Sequence, residues 1–468
     1  MFRSIFTNSA GILLSRVLGF IRDVLTASTL GASIYSDIFF IAFKLPNLFR
    51  RIFAEGAFTQ VFIPSYAKSN KKAIFLAHIF TIFLSIIIVL SLLVTLLPSL
   101  ATKAIAVGFD ADTVSLASPF VAINFWYLPL IFAVTFLASL LQYKKHFATT
   151  AFSTGLLNVS LIGALLLGKD SSDEMIVYLL SWGVVVGGVL QLIVHIIAIK
   201  KLGLCKLVCG GFKYLKEKTK KIKDEAKGFK KQFLPAIWGN SSAQVNAFVD
   251  TWLASFLATG SISYLYYANR IFQLPLALFA IATSIALFPA IARFIKNKDE
   301  QKALIYLKKA FWFLAFLLGF STIGALILSE QIVKLLFERG AFSAKDTANS
   351  AFVLQMYMIG LLPFGLQKLI SLWLYSKELQ MRAAKIATFT LITNVSLSLL
   401  LIAPLGAAGL ALATTLSGLV GFYQSAKVFG VDNFLFVLKD KKTPIFLISM
   451  VVFATILYYL KDIISVYI

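Results

Sequence analysis

Asp23-Val-Leu-Thr-Ala27-Ser28-Thr-Leu30 and Asp250-Thr-Trp-Leu-Ala254-Ser255-Phe-Leu257 share the pattern D-x-x-x-A-S-x-L at an offset of 227 residues. Two further echoes follow in order. Pro64-Ser-Tyr-Ala67-Lys68 returns as Pro289-Ala-Ile-Ala292-Arg293 at an offset of 225, and Ser139-Leu140-x-x-Tyr143-x-Lys145 returns as Ser371-Leu372-x-x-Tyr375-x-Lys377 at 232. Three matches in register identify an internal repeat: the chain is two copies of one unit.

What the repeated unit consists of follows from composition. Of 468 residues, 59% are hydrophobic and 14% charged, against roughly 25% charged in a soluble domain. Windows of about 20 apolar residues, long enough to cross a bilayer, recur along the chain. Thirteen are expected, near 8–30, 37–66, 73–98, 117–142, 150–168, 175–199, 233–258, 264–292, 310–329, 348–376, 386–403, 407–426 and 443–460. The N-terminal stretch, with Arg3 and no small-residue cleavage site behind a short apolar core, reads as the first span and not as a removed signal.

Loop charge sets the orientation. Assigned to alternate sides, the loops near 67–72, 143–149, 200–232, 293–309, 377–385 and 427–442, together with the N-terminus, hold 31 of the 44 Lys and Arg residues; the opposite loops hold six. Cytoplasmic loops collect positive charge, so the first set and the N-terminus are expected in the cytoplasm. The formal net charge of +23 therefore reflects orientation and anionic headgroups, and nucleic acid is not an expected partner. Six spans separate the copies, an even number, so both run the same way through the membrane. The expected fold is all-α: two parallel six-helix lobes, at 1–200 and 233–428, joined by a basic linker at 201–232 and followed by at least one extra span in 429–468. Parallel repeats of this kind are transporter architecture, with the substrate near the midplane between lobes.

Seven cations remain inside the spans, Arg16, Arg22, Lys44, Arg50, Arg51, Arg270 and Lys368, with four acids, Asp23, Asp37, Glu55 and Asp250. At roughly 2.5–3.5 kcal/mol each near a helix centre, eleven facing lipid would cost on the order of 30 kcal/mol. They must pair or line water, apart from those, such as Lys368, that snorkel to the interface. The first two spans hold Arg16, Arg22, Asp23, Asp37, Lys44, Arg50, Arg51 and Glu55, whereas the seventh and eighth hold Asp250 and Arg270. On an unbroken helix Asp37, Lys44, Arg51 and Glu55 share a face. A bend at Pro46, with Gly56 loosening the later part, is expected in a span of roughly 45 Å, and it leaves Arg50 and Arg51 equally eligible. In the first span Ser15 aligns with Arg22, and Arg16 with Asp23. The cations outnumber the acids, so the expected ligand is an anion, and the planar guanidinium fork suits phosphate or pyrophosphate.

In the linker, Leu215, Ile222, Phe229 and Phe233 recur at helical spacing among lysines, which predicts an amphipathic helix on anionic phospholipid. Cys205 and Cys209, four apart, are expected as free thiols. His78, His146 and His195 lack metal-ligand spacing, so metal-centred chemistry is not expected.

The stretch Ser15-Arg16-Val-Leu-Gly-Phe-Ile-Arg22-Asp23, followed by Asp37-Ile-Phe-Phe-Ile-Ala-Phe-Lys44-Leu-Pro46-Asn47-Leu-Phe-Arg50-Arg51-Ile-Phe-Ala-Glu55-Gly56-Ala-Phe and Pro64, closely resembles the MurJ (MviN) family, lipid II flippases of the multidrug/oligosaccharidyl-lipid/polysaccharide (MOP) exporter superfamily. The resemblance implies a transporter and no enzyme, moving lipid II, an undecaprenyl-pyrophosphate-linked disaccharide peptide, from the inner to the outer leaflet for peptidoglycan synthesis. It places functional arginines on Arg16, Arg22, Arg50 and Arg270 and acids on Asp37 and Glu55, with Lys44, Arg51, Ser15, Asp23 and Asn47 in the same motif. It favours Arg50, which periodicity does not. Alternating access is the implied mechanism, as a monomer without a cofactor, drawing on membrane potential. A sodium ion or proton is a further candidate energy source, for which Asp250, Asn394 and Thr414 offer oxygen ligands. The family has fourteen spans, the last two forming a groove for the lipid tail; thirteen are read here. Rival expectations are a flippase for an O-antigen type glycan, a cation-coupled drug exporter and a non-transporting scaffold.

Overall fold

The computed structural model describes residues 2–52, 58–217 and 220–467. Twenty α-helices follow one another, and among the described residues there is no strand. Nine stretches of the described chain are long and apolar enough to cross a membrane, and side chains such as Leu93 and Leu96, or Val451 and Ile463, stay exposed on them. Such apolar surface suits lipid and not water.

The compact units are Met1–Phe256 and Leu257–Ile468. In the first, α1 (Phe2–Leu30), α2 (Ile34–Ile52), α3 (Phe58–Lys68), α4 (Lys72–Leu96), a short α5 (Pro98–Ile105), α6 (Ala111–Phe125), α7 (Tyr127–Tyr143), α8 (Ala148–Leu167) and α9 (Asp173–Lys201) lead through α10 (Cys205–Lys213) into the long α11 (Lys220–Ala254). The second contains α12 (Ser261–Pro275), α13 (Ala282–Lys296), α14 (Glu300–Ile327), short α15 (Ser329–Phe337), α16 (Ala344–Met358), α17 (Leu361–Ser376), α18 (Gln380–Phe429), α19 (Val431–Leu438) and α20 (Lys442–Tyr467). The order from α2 to α9 recurs from α12 to α18. In each, a two-piece helix precedes a long one, a short one and another two-piece helix, so the sequence repeat is also a structural one.

α18 supplies two spans. Gly406 (φ 54°, ψ −130°) has a backbone open to glycine, and Pro404 lies beside it. Twenty residues of straight helix would separate Asn394 from Thr414 by about 30 Å; instead Asn394 Nδ2 donates to Thr414 Oγ1 at 3.0 Å. The chain therefore doubles back. Beyond it the described residues hold one long apolar helix, α20, as the sequence predicts.

Inside the spans the hydroxyls bond to their own helix, as membrane burial demands. Thr81, Ser91 and Thr95 donate to the carbonyls of Ala77, Ile87 and Ser91. Helix starts at the polar ends are capped by side chains: Asp110 accepts from the Thr113 N–H, and Ser343 with Asp346 forms a capping box.

α2 continues through Pro46 to Ile52, so the helix is not interrupted at the proline; Gly56 lies outside the described residues. One expectation is corrected, that for the linker. Leu215 falls in a single 3₁₀ turn, and from Lys220 the linker and the seventh span form one helix. Phe229 and Phe233 are buried, stacked on each other at 5.5 Å, with Phe58 at 5.8 and 6.0 Å and Phe83 at 5.9 and 5.3 Å. The apolar face predicted to lie on lipid is thus covered by α3 and α4. Lys223, Lys227, Lys230 and Lys231 stay exposed on the other face, and Ser69 Oγ donates to Glu225 Oε2 at 2.7 Å.

With this docking, α11 falls within the first compact unit, which ends at Phe256. At its far end α11 is held again, where Gly108 N donates to Ser255 Oγ at 2.9 Å. A Cβ on Gly108 would sit 2.4 Å from the backbone of Ser255 and Phe256. Gly108→Val is expected to lower stability by about 1–3 kcal/mol through overpacking, read as a fall in Tm of the detergent-solubilised protein. Gly210→Ala, where nothing lies within 4 Å, should leave Tm unchanged or raised.

Candidate functional site

α1 carries the first charged cluster, and α8 is the wall behind it. Small residues let the two approach: a Cβ on Gly11 would meet Ala151 at 2.8 Å, and one on Gly155 would meet Leu18 at 3.3 Å. At this contact Arg22 and Asp23 are both buried. Arg22 Nε and Nη2 donate to Asp23 Oδ1 at 3.1 and 2.5 Å, and Nη1 donates to Asn158 Oδ1 at 3.0 Å. Asn158 Nδ2 in turn donates to the Ser15 carbonyl at 3.0 Å. The expected pairing of carboxylate with guanidinium is present, and Ser15 takes part through its backbone. Arg16 is exposed and has no ion pair or hydrogen bond among the described residues.

On α2, Asp37 is buried in the first turn, where a carboxylate complements the helix dipole. Lys44 and Asn47 are half-buried. Arg50 Nε donates to Asn47 Oδ1 at 3.1 Å, one turn back. Glu55 and the Arg51 side chain lie outside the described residues, so the predicted shared face of Asp37, Lys44, Arg51 and Glu55 is described only in its first half.

The second unit contributes Arg270 on α12. It is half-buried; Nη2 donates to Tyr266 OH at 2.7 Å, and the guanidinium lies 4.8 Å from the centre of the same ring. A cation over an aromatic face is attracted by the ring quadrupole. Directly after α12 the chain widens into one π-helical segment, Leu276–Ile281, a local form frequent near functional positions. Lys368 on α17 is exposed.

Of the three proposed ion ligands, Asn394 and Thr414 meet in the hairpin of α18, and Asp250 is a buried residue of the first unit. Among the described residues no three His, Cys, Asp or Glu side chains group as metal ligands. Cys205 and Cys209 are free thiols on α10.

Asn158 and Tyr266 were not singled out from sequence. A lone carboxamide in the apolar run of α8 is itself a signal, because an amide within a span needs partners. Tyr266 stands four residues before Arg270, the spacing at which helix side chains meet.

Two like-ordered helical units, with Arg22 buried in the first and Arg270 half-buried in the second, have the architecture of a multi-pass membrane transporter of the MATE/MOP type. The comparisons narrow the class. The family model described as lipid II flippase MurJ matches residues 26–468. A probable lipid II flippase MurJ of Helicobacter pylori (strain ATCC 700392 / 26695) is 52% identical over 425 residues, covering 89% of this chain and 92% of that protein. One from Haemophilus influenzae is 32% identical over 432 residues, covering 88% and 82%. A solved structure of lipid II flippase MurJ in an inward closed conformation aligns with a TM-score of 0.78 at 26% identity, covering 98% of this chain and 99% of that one. An inward-facing multidrug resistance MATE transporter of the MOP superfamily aligns at 0.64 with 14% identity, over 92% and 96%, which reflects fold alone. The chain belongs to the MurJ family.

Removing one member of a buried ion pair strands the other, at a typical cost of about 3–5 kcal/mol. Asp23→Ala is therefore expected to destabilise the protein by that order, and Asp23→Asn by less. Thermal unfolding of the purified variants checks this; an Asp23→Ala protein as stable as the parent would show that Arg22 does not depend on the carboxylate.

Proposed function

We propose that the chain is itself a lipid II flippase, moving undecaprenyl-pyrophosphate-linked disaccharide peptide from the inner to the outer leaflet of the bacterial cytoplasmic membrane by alternating access. The observation that carries the reading is chemical: Arg16 and Arg22 on α1, Arg50 on α2 and Arg270 on α12, the last in a stretch long and apolar enough to cross a membrane. Guanidinium donates two parallel hydrogen bonds to a phosphate or pyrophosphate, a geometry that ammonium cannot match. Family membership makes lipid II the substrate to test first.

No bond in the substrate is made or broken, so the arginines act by binding and orientation, with Asp37, Glu55, Lys44, Arg51, Ser15, Asp23 and Asn47 shaping the same region. The N-terminus and the basic loops face the cytoplasm, as the distribution of Lys and Arg supports. Exposed lysines on α11 meet anionic phospholipid there, and the chain works as a monomer without a cofactor. A cationic site that shifts across the field draws about 2.3 kcal/mol per charge per 100 mV of membrane potential. Asp250, Asn394 and Thr414 are the candidate ligands for a coupling sodium ion or proton.

The reading is tested by depleting the protein in its host and labelling lipid II exposed on the outer leaflet. Exposure is expected to fall on depletion, to recover with the parent chain, and to stay low with Ala at Arg16, Arg22, Arg50 or Arg270 at equal expression. Undiminished exposure after depletion, in a host without another flippase, would exclude lipid II and leave another polyprenyl-pyrophosphate glycan as the substrate. Full recovery with all four Ala substitutions would point to a scaffold.

A further inference from the structure

We propose that α19 is an interfacial helix that binds anionic phospholipid, with the stripe Val431, Leu435 and Leu438 set against acyl chains and the lysines at its two ends on the headgroups. It rests on the reading that the basic loops meet the anionic cytoplasmic leaflet, and assigns that contact to one element.

The helix lies between two chain reversals. α18 ends at Phe429, and Gly430 turns the chain at φ 105°, a backbone open to glycine. Asn433 Nδ2 donates back to the Phe429 carbonyl at 2.8 Å, satisfying one of the last carbonyls of α18. Beyond Leu438 the chain turns again into α20: the Lys442 N–H donates to Asp440 Oδ1 at 3.0 Å, and Thr443 Oγ1 donates to the Leu438 carbonyl. With eight residues, about 12 Å, α19 cannot cross a bilayer. It joins the end of one apolar helix to the start of the next, which is where a membrane surface lies.

Its sides differ. One is taken by protein: Phe434 packs on Phe311 and Phe422 at 6.4 and 6.1 Å, and the carbonyl of the buried Val437 accepts from Trp312 Nε1 at 3.1 Å. Another carries the exposed Asp432. At about 100° per residue, Val431, Leu435 and Leu438 form a stripe between these two. Val431 is 66% exposed and Leu435 41%, while Leu438 is half-buried. Protein on one flank, an apolar stripe beside it and an acid turned to water is the arrangement of a helix lying in the plane of an interface.

Charge decides what covers the stripe. Lys308 Nζ lies 3.0 Å from Asp440 Oδ2, donates to the Lys439 carbonyl at 3.2 Å and sits 4.6 Å from the centre of the Phe436 ring. Asp440 is thereby committed to holding the second turn. Lys427 before the helix and Lys439, Lys441 and Lys442 after it are exposed and enter no ion pair among the described residues. Apolar side chains flanked by cations need a partner with hydrocarbon and negative charge together, and an anionic phospholipid supplies both in one molecule.

Bimane attached at Leu435→Cys or Asp432→Cys, in a Cys205→Ser/Cys209→Ser background of the full chain in nanodiscs, tests this, with Tm read alongside. Doxyl-labelled phosphatidylglycerol is expected to quench the label at 435 about threefold or more beyond doxyl-labelled phosphatidylcholine, and aqueous iodide to quench the label at 432 more than that at 435. High salt, or Lys439→Gln/Lys441→Gln/Lys442→Gln, is expected to bring the two lipids to parity. A label at 435 reached by iodide and not by lipid overturns the proposal. So does one reached by neither, the mark of a protein partner, and so does equal quenching by the two lipids at low salt. The side of the membrane is a separate measurement: an impermeant maleimide added to spheroplasts is expected to spare Lys441→Cys in the same background. Labelling there would overturn the cytoplasmic reading, while lipid binding by α19 stands or falls on the nanodisc result.

Discussion

A guanidinium cannot sit unsatisfied among membrane helices, and the neighbourhood of Arg22 is arranged around that constraint. Burial of a charge is tolerated when a counter-charge and hydrogen bonds replace water. Asp23 gives the first and Asn158 the second. Meeting both needs requires α8 to approach α1 closely, which is why glycine and alanine occupy Gly11, Ala151 and Gly155 at that contact. The charge thus dictates the residues that pack around it.

A second constraint fixes α11. The helix emerges from a lysine-rich linker, yet Phe229 and Phe233 enter a ring of phenylalanines from α3, α4 and α7, including Phe132, which lies 5.7 Å from Phe58. Edge-to-face aromatic contacts add to ordinary apolar burial. Together with Ser69–Glu225 at one end and Gly108–Ser255 at the other, they hold α11 near both of its ends. The span is related by sequence to α1 and opens the second copy of the repeat, but in packing it belongs with the first. Ancestry by repeat and mechanical grouping are separate properties here.

Most of the spans, the repeat and the charged motif are legible because each has a local signature: apolar length, a register of small matches, and charges where none should be. What escaped was set by contacts distant in sequence. Periodicity shows that the linker helix has an apolar face, but the same pattern serves lipid or protein, and the phenylalanines of α3 and α4 decide which. Pro46 removes a helical donor, yet a single missing bond does not interrupt α2, which runs six residues further. Asn158 is one polar residue in an apolar helix, and its partners on α1 become visible only when α8 is placed beside it.

Three of the arginines share one kind of neighbour. Arg22 has the amide oxygen of Asn158 among its partners, Arg50 that of Asn47, and Arg270 the hydroxyl of Tyr266. Each is a neutral oxygen, and at Arg22 the Asp23 carboxylate supplies the counter-charge beside it. A carboxylate attracts the whole guanidinium by charge, whereas an amide or hydroxyl oxygen takes one N–H along a fixed direction. At these positions the neutral oxygen therefore adds an orientation that charge alone does not provide, whatever other partners the group has.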